Sequence, residues 1–189
     1  MIMVHGRHAG PEDILSLVPP LHHPDFTYLA PAAAGGTWYP ESFLAPIERN
    51  EPGISSGIGV IHGLLDQALA AGVPTERVIL LGFSQGACLA VTAAYRRPAR
   101  YGGVIAYSGG LIGPPGTRWP ATGSFDGTPA FLGCSDVDPH IPRSRVDETA
   151  AVLDGMQAAV TRRIYPGMGH TVIDDEIEFT RELMETVAR

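Results

Sequence analysis

Short apolar runs alternate with helical segments along the whole 189-residue chain. The clearest run, 77–83, is almost continuously apolar, which is typical of a strand that is buried on both faces of a sheet. Such alternation predicts about six mostly parallel strands with helices on both faces of the sheet. The predicted strands are 2–5, 26–31, 77–83, 103–108, 129–134 and 160–165. The predicted helices are 11–18, 55–71, 85–97, 143–157 and 171–188.

The composition excludes several classes of function. With 44% hydrophobic and 17% charged residues, the chain is typical of a globular protein, and we expect one domain over residues 1–189. A net charge of −7 without a basic cluster argues against nucleic-acid binding and against stable association with a membrane. Cys88 and Cys134 are expected to be buried free thiols, and no signal peptide is recognisable at the N-terminus, so a cytoplasmic location is expected.

Ser84 lies at the centre of Gly82-Phe83-Ser84-Gln85-Gly86, directly after the clearest strand and before a predicted helix. This G-x-S-x-G pattern between strand and helix is typical of a nucleophile elbow, in which the serine backbone is strained and the flanking positions have no room for side chains. The pattern predicts that Ser84 is a catalytic nucleophile. The alternative, Ser84 as an ordinary helix N-cap, is not favoured by the residues that follow it.

A serine nucleophile needs a base and an acid that orients the base. In this strand–helix arrangement the expected chain order is serine, acid, histidine. His170 follows the last predicted strand and is the expected base, whereas His140 is expected to be a loop or pocket-wall residue. Asp136 and Asp138 both lie in the loop after the fifth predicted strand, and the residues alone do not separate them.

An acyl-transfer site also needs backbone N–H donors for the oxyanion. One is expected from Gln85, the residue after the nucleophile, and the other from Arg7 in the loop after the first strand. The Arg7 guanidinium is then free for solvent or for a substrate carboxylate. His22 and His23 are adjacent, so they are poorly placed to bind one metal ion, and neither a metal nor a cofactor is expected.

Five segments together resemble the phospholipase/carboxylesterase family, the acyl-protein thioesterase-like branch of the α/β-hydrolases. They are His5–Arg7, Gly82–Ala87, Ser108–Leu111, Asp138–Pro142 and Tyr165–His170. The resemblance implies an α/β-hydrolase fold, Arg7 and Gln85 as oxyanion donors, and Asp138 rather than Asp136 as the acid. Thr37–Phe43 is similar to a bacterial esterase subgroup of that family.

Two departures from the family pattern bear on the site. Relatives begin with one or two further strands, so the sheet is expected to be shorter at one edge. The loop from Leu111 to Thr128 is too short for a lid domain, which predicts a lidless, open site. The candidate residues for its apolar wall are Trp38, Tyr39, Phe43, Leu111, Ile112 and Met168.

The expected function is that of a serine carboxylesterase that hydrolyses small-molecule esters with short acyl groups. A thioesterase or lysophospholipase would use the same residues. A dienelactone-type hydrolase favours a cysteine nucleophile, but Cys88 lies one helical turn past the elbow and cannot replace Ser84. From a different class, the chain could be a non-catalytic binding module on a hydrolase scaffold. Dimerisation is left open.

Overall fold

A single sheet of five parallel strands organises the computed structural model, which describes residues 1–189. The strands are adjacent in sequence order: β1 (Ile2–Val4), β2 (Ile79–Phe83), β3 (Gly103–Tyr107), β4 (Pro129–Ser135) and β5 (Ala159–Tyr165). Every residue of β3 is buried, as is every residue of β2 except its last, Phe83. Strands buried in this way need helices on both faces of the sheet.

Seven α-helices cover the two faces. They are α1 (Pro11–Leu15), α2 (Val18–Leu21), α3 (Ile47–Asn50), α4 (Gly53–Ala70), α5 (Gln85–Arg96), α6 (Arg143–Gly155) and α7 (Asp174–Ala188). The larger apolar cluster joins one face of the sheet to α4, α5 and α6, and the smaller one joins the other face to α1, α2 and α7. In α4 the buried residues recur at helical spacing, namely Ile54, Ile58, Ile61 and Leu65.

The predicted strand 26–31 is wrong, and the sheet therefore has five strands rather than six. Only Leu29 pairs with β1: Leu29 accepts a hydrogen bond from the Met3 N–H and donates one to the Met1 carbonyl oxygen. Pro31 has no N–H with which to continue a ladder. The alternating apolar side chains of this segment instead pack on the smaller cluster through Phe26 and Tyr28.

The predicted helix 11–18 is divided into α1 and α2. A continuous helix would require N–H donors at Pro19 and Pro20, which proline lacks. The helices predicted around α4, α5, α6 and α7 are present, with ends that differ by at most three residues. The short helix α3 was not predicted.

The parallel register brings the carboxyl ends of the strands to one edge of the sheet. Val4 pairs with Gly82, Phe83 with Tyr107, and Ser135 with Tyr165. The loops after β1, β2, β4 and β5 therefore lie close together at that edge. None of the helices is both long enough and apolar enough to span a membrane.

Candidate active site

The turn between β2 and α5 holds Ser84 in a strained conformation, with φ 54° and ψ −118°. The turn requires glycine on both sides: a Cβ on Gly82 would lie 2.4 Å from the Gly86 carbonyl oxygen, and a Cβ on Gly86 would lie 2.1 Å from the Val4 carbonyl oxygen. The Ser84 side chain makes no capping bond to α5. The turn instead presents its hydroxyl above the edge of the sheet, as a nucleophile elbow does.

His170 connects Ser84 to Asp138 through both of its ring nitrogens. Nε2 lies 2.8 Å from Ser84 Oγ and Nδ1 lies 2.7 Å from Asp138 Oδ2. Because an ionised carboxylate can only accept hydrogen bonds, Nδ1–H is the donor to Asp138, and Nε2 is left to accept the serine proton. The Asp138 side chain is 0% exposed and that of His170 is 18% exposed, so the pair is largely shielded from water.

Asp138 is held in its ionised form by the hydrogen bonds around it. Burial alone would raise its pKa, but bonds from His170 and from the N–H groups of His140 (2.8 Å) and Ile141 (3.0 Å) outweigh burial and lower the pKa. The Cys134 thiol lies 3.8 Å from Asp138 Oδ2. Burial raises the pKa of this thiol to about 12, so the thiol stays protonated. The carboxylate is therefore fixed in both charge and orientation.

Asp136, the other carboxylate that the sequence offered, binds a different loop. Its Oδ1 accepts a hydrogen bond of 2.8 Å from the Gly167 N–H, in the turn that carries His170. This bond leaves the loop that carries Asp136. Asp136 joins the loop after β4 to the loop after β5.

The loop after β1 approaches Ser84 closely. A Cβ on Gly6 would lie 3.6 Å from Ser84 Cβ, which puts the neighbouring Arg7 backbone beside the nucleophile. His5 supports this loop: its ring bonds to the Gly6 carbonyl oxygen (2.7 Å) and accepts a hydrogen bond from the Ala33 N–H (3.1 Å). On the other side of Ser84, Gln85 is the first residue of α5, so its N–H has no acceptor within the helix.

Two side chains that flank Ser84 hold the segment 38–41 in place. The Gln85 amide accepts a hydrogen bond from the Trp38 N–H (3.0 Å) and donates one to the Tyr39 carbonyl oxygen (2.7 Å). The Arg7 guanidinium donates to the carbonyl oxygens of Pro40, at 2.7 Å, and of Glu41. The Arg7 side chain is thus bound to backbone rather than free, which the sequence did not reveal.

A cavity of about 730 Å³ opens over Ser84 and His170. Of the predicted wall residues, Tyr39 and Phe43 line it, whereas Trp38, Leu111, Ile112 and Met168 do not. Trp38 is buried, and its indole N–H donates to the His5 carbonyl oxygen at 2.9 Å. His140 lines the cavity as expected, with its ring centroid 4.9 Å from that of His170.

Leu111 and Ile112 belong to the core because a buried arginine holds their loop against the helices. Arg145 donates hydrogen bonds of 2.7 Å to the carbonyl oxygens of Leu111 and Gly113, and the Leu111 N–H bonds to Thr149 at 2.9 Å. These contacts draw the loop after β3 onto α6. No helix or strand lies between β3 and β4.

Several residues at the site were not predicted from the sequence. Phe83 packs against His170 with the ring centroids 5.0 Å apart, and Ile14, Leu17 and Val172 line the cavity. No group of three or more His, Cys, Asp or Glu side chains is placed to hold a metal ion. Cys88 is fully buried, and burial raises the pKa of its thiol to about 12. It is therefore neither accessible nor ionised as a nucleophile would be.

The model of the phospholipase/carboxylesterase family matches residues 22–188. The chain belongs to this family. The family and its homologues are serine hydrolases with the α/β-hydrolase fold, so the fold predicted from the resemblance is confirmed. A crystal structure of a family member from Dyadobacter fermentans is 38% identical, with a TM-score of 0.93, and the match covers 100% of this chain and 88% of that chain.

More distant family members differ in the names they carry. Acyl-protein thioesterase 1 of Gibberella zeae is 30% identical over 134 residues, which cover 69% of this chain and 57% of the relative. A probable carboxylesterase of Oryza sativa is 25% identical, over 71% of this chain and 57% of the relative. The matched segment thus spans less than two thirds of either relative. The crystal structure of esterase PE8, at 21% identity and a TM-score of 0.79, shows the same fold.

Proposed function

We propose that this family member is a serine carboxylesterase that hydrolyses small esters through an acyl-enzyme on Ser84. The observation that carries the proposal is the continuous chain of hydrogen bonds from Ser84 Oγ through His170 to Asp138, on a strained strand–helix turn. A packing role for Ser84 would require neither the strain nor this chain of bonds. Strained backbone of this kind persists where the surrounding structure and function demand it.

In the first step, Ser84 Oγ attacks the ester carbonyl carbon while His170 Nε2 takes the hydroxyl proton. Asp138 accepts the bond from His170 Nδ1–H, which fixes the tautomer and stabilises the imidazolium. The Arg7 and Gln85 N–H groups stabilise the oxyanion, and each such donor commonly contributes about 3 kcal/mol. As the carbon–oxygen bond breaks, His170 returns the proton to the departing alcohol.

In the second step, water attacks the acyl-enzyme and the same groups act again. His170 removes a proton from the water and later gives it to Ser84 Oγ, so the carboxylic acid leaves and the serine is regenerated. No cofactor takes part in either step. The proposed substrate is a small molecule, and with a net charge of −7 the chain is not proposed to bind nucleic acid.

A thioesterase activity is the second candidate, because relatives of this chain are named acyl-protein thioesterases. The chemistry would be the same, with a thiol in place of the alcohol. Butyrate esters and thiobutyrate thioesters of the same alkyl group separate the two candidates. A higher kcat/KM for the esters supports the esterase, and a strong preference for the thioesters supports the alternative.

The decisive test compares the wild type with Ser84→Ala on p-nitrophenyl butyrate. We expect the substitution to lower kcat by roughly 10⁴-fold or more, as the loss of an activated serine does in other hydrolases. Ser55→Ala, on the exposed surface of α4, is the control and should keep full activity. Labelling by a fluorophosphonate should likewise need Ser84. Equal turnover by wild type and Ser84→Ala, with no labelling, would favour the non-catalytic binding module.

A further inference from the structure

The cavity has two apolar walls that lie on opposite faces of the sheet. The first, the histidine-side wall, consists of Ile14, Leu17, Phe83 and Val172, which all belong to the smaller apolar cluster or pack against it. The second, the helix-side wall, consists of Tyr39, Phe43, Cys88 and Ile141, which all belong to the larger cluster. Ser84 stands between them at the edge of the sheet, so the two parts of an ester bound there would meet different walls.

The position of His170 decides which part of the ester meets which wall. Its Nε2 lies 2.8 Å from Ser84 Oγ and is the atom that would return the proton to the departing alcohol. Its ring packs 5.0 Å from the ring of Phe83, and Val172 follows two residues later. This placement favours departure of the alcohol along the histidine-side wall and leaves the helix-side wall for the acyl group.

The two walls differ in how much apolar surface they leave open. Leu17, Phe83 and Val172 are only half-buried, and Ile14 lies buried beside them. Half-buried apolar side chains in a cavity are the surface that a ligand covers with a gain in free energy. All four residues of the helix-side wall are buried, and Cys88 closes it one helical turn after Ser84. The helix-side wall therefore offers a bound acyl group little further apolar surface, which favours a short one.

The charges around the cavity disfavour an anionic alcohol. Arg7 is the only lysine or arginine that lines the cavity, and its guanidinium is already bound to the carbonyl oxygens of Pro40 and Glu41. The lining includes two carboxylates, those of Asp13 and Glu41, and the Glu41 carboxylate forms an ion pair with Arg49 at 2.8 Å. A phosphate or carboxylate on the leaving group would find no free cation there and would be repelled by the Asp13 carboxylate.

We propose that the substrates are uncharged esters with a short acyl group and an apolar alcohol of about the size of a benzyl group, which binds along the histidine-side wall. The proposal rests on the proposed function, since it assumes that Ser84 and His170 cleave an ester. It assigns specificity for the alcohol to Ile14, Leu17, Phe83 and Val172.

Two matched pairs of acetate esters test the substrate class. Benzyl acetate and methyl acetate release alcohols of similar acidity but different apolar area, so the ratio of their kcat/KM values reports contact with the wall. We expect benzyl acetate to be favoured about tenfold or more. Benzyl acetate and 4-carboxybenzyl acetate share the ring and differ in charge. We expect the anionic ester to be several-fold poorer, and less so at high salt.

Substitutions in the two walls test whether the alcohol binds at the histidine-side wall. Leu17→Ser removes apolar wall surface and should lower the benzyl-to-methyl ratio by roughly threefold or more. Leu15→Ser is the matched control, because Leu15 lies two residues away and does not line the cavity. Phe43→Ala should change the butyrate-to-acetate ratio of the methyl esters and leave the benzyl-to-methyl ratio as it is. The ratio of two kcat/KM values measured with the same enzyme preparation does not depend on the fraction of the enzyme that is folded.

The outcomes separate this proposal from the proposed function. A benzyl-to-methyl ratio near one, a ratio that Leu17→Ser leaves unchanged, or a preference for 4-carboxybenzyl acetate would overturn the proposal while the esterase stands. A ratio that falls in Phe43→Ala and not in Leu17→Ser would exchange the roles of the two walls and also overturn it. If none of the esters is hydrolysed above the rate of Ser84→Ala, the proposed function fails instead.

Discussion

Glu176 is a buried carboxyl group in the first turn of α7, and replacing it with glutamine should change how stability depends on pH. The residue is 0% exposed and packs on the sheet so closely that a Cβ on Gly133 would lie 2.0 Å from its Oε1. Its Oε2 accepts a hydrogen bond of 3.1 Å from the Ile173 N–H, while Oε1 has no partner. The carboxylate form is thus only half satisfied.

Burial raises the pKa of Glu176 to about 7, and the nearby Asp175 charge adds to this, although the bond from Ile173 opposes it. In the unfolded chain the pKa of a glutamate is about 4.3. The folded state therefore holds this proton more tightly, and the stability that it contributes is complete below about pH 4 and is lost as pH rises to about 7. Since one pKa unit corresponds to about 1.4 kcal/mol, the whole loss amounts to about 4 kcal/mol.

Urea unfolding at a series of pH values between 5 and 8 measures this effect. Both enzymes share all other titrating groups, so the difference between wild type and Glu176→Gln isolates the carboxyl. We expect the free energy of unfolding of the wild type to fall by about 2–3 kcal/mol relative to the variant across this range. Glu178→Gln, at an exposed position of the same helix, should run parallel to the wild type. Parallel curves for wild type and Glu176→Gln would refute the reasoning, whatever their absolute levels.

Three further substitutions test the contacts around the nucleophile. Asp138→Asn should lower kcat in esterase assays by roughly 10³–10⁴-fold, because it favours the wrong histidine tautomer. Asp136→Asn keeps an oxygen that accepts the bond from the Gly167 N–H, so we expect it to lower kcat by less than about tenfold. The reverse order of the two effects would assign the acid to Asp136. Gln85→Ala keeps the backbone N–H but leaves the Trp38 N–H and the Tyr39 carbonyl oxygen without partners. We expect about 2 kcal/mol of lost stability in urea unfolding, and an unchanged midpoint would show that these bonds contribute little.

The elements that could be predicted from the sequence are those whose signals are local. The apolar run of β2 and the regular apolar spacing in α4 predict their own structure, because burial on two faces or on one helical stripe leaves a pattern in consecutive residues. The segment 26–31 carries a similar apolar pattern and is not a strand. Whether such a segment becomes a strand depends on a partner strand long enough to pair with it, and within 26–31 only Leu29 pairs with β1.

Which apolar side chains line the cavity also depends on contacts between residues that are distant in the sequence. Leu111 and Phe43 are both apolar residues in loops, and the sequence does not distinguish them. Both are buried in the larger cluster, but Arg145 binds the carbonyl oxygen of Leu111 and holds its loop away from the cavity, whereas Phe43 also lines the cavity. A buried arginine that acts on a distant loop leaves no signal at the position that it moves.

By itself, the sequence determined the place of the nucleophile turn. Only glycine fits at Gly82 and Gly86, and the strand before and the helix after are both evident, so the position of Ser84 follows from local geometry. The choice between Asp136 and Asp138 needed either the family resemblance or the tertiary structure. These side chains lie two residues apart in one loop, and their directions are set by long-range partners. Asp136 bonds to Gly167 and Asp138 to His170, contacts that exist only once the ends of β4 and β5 lie side by side.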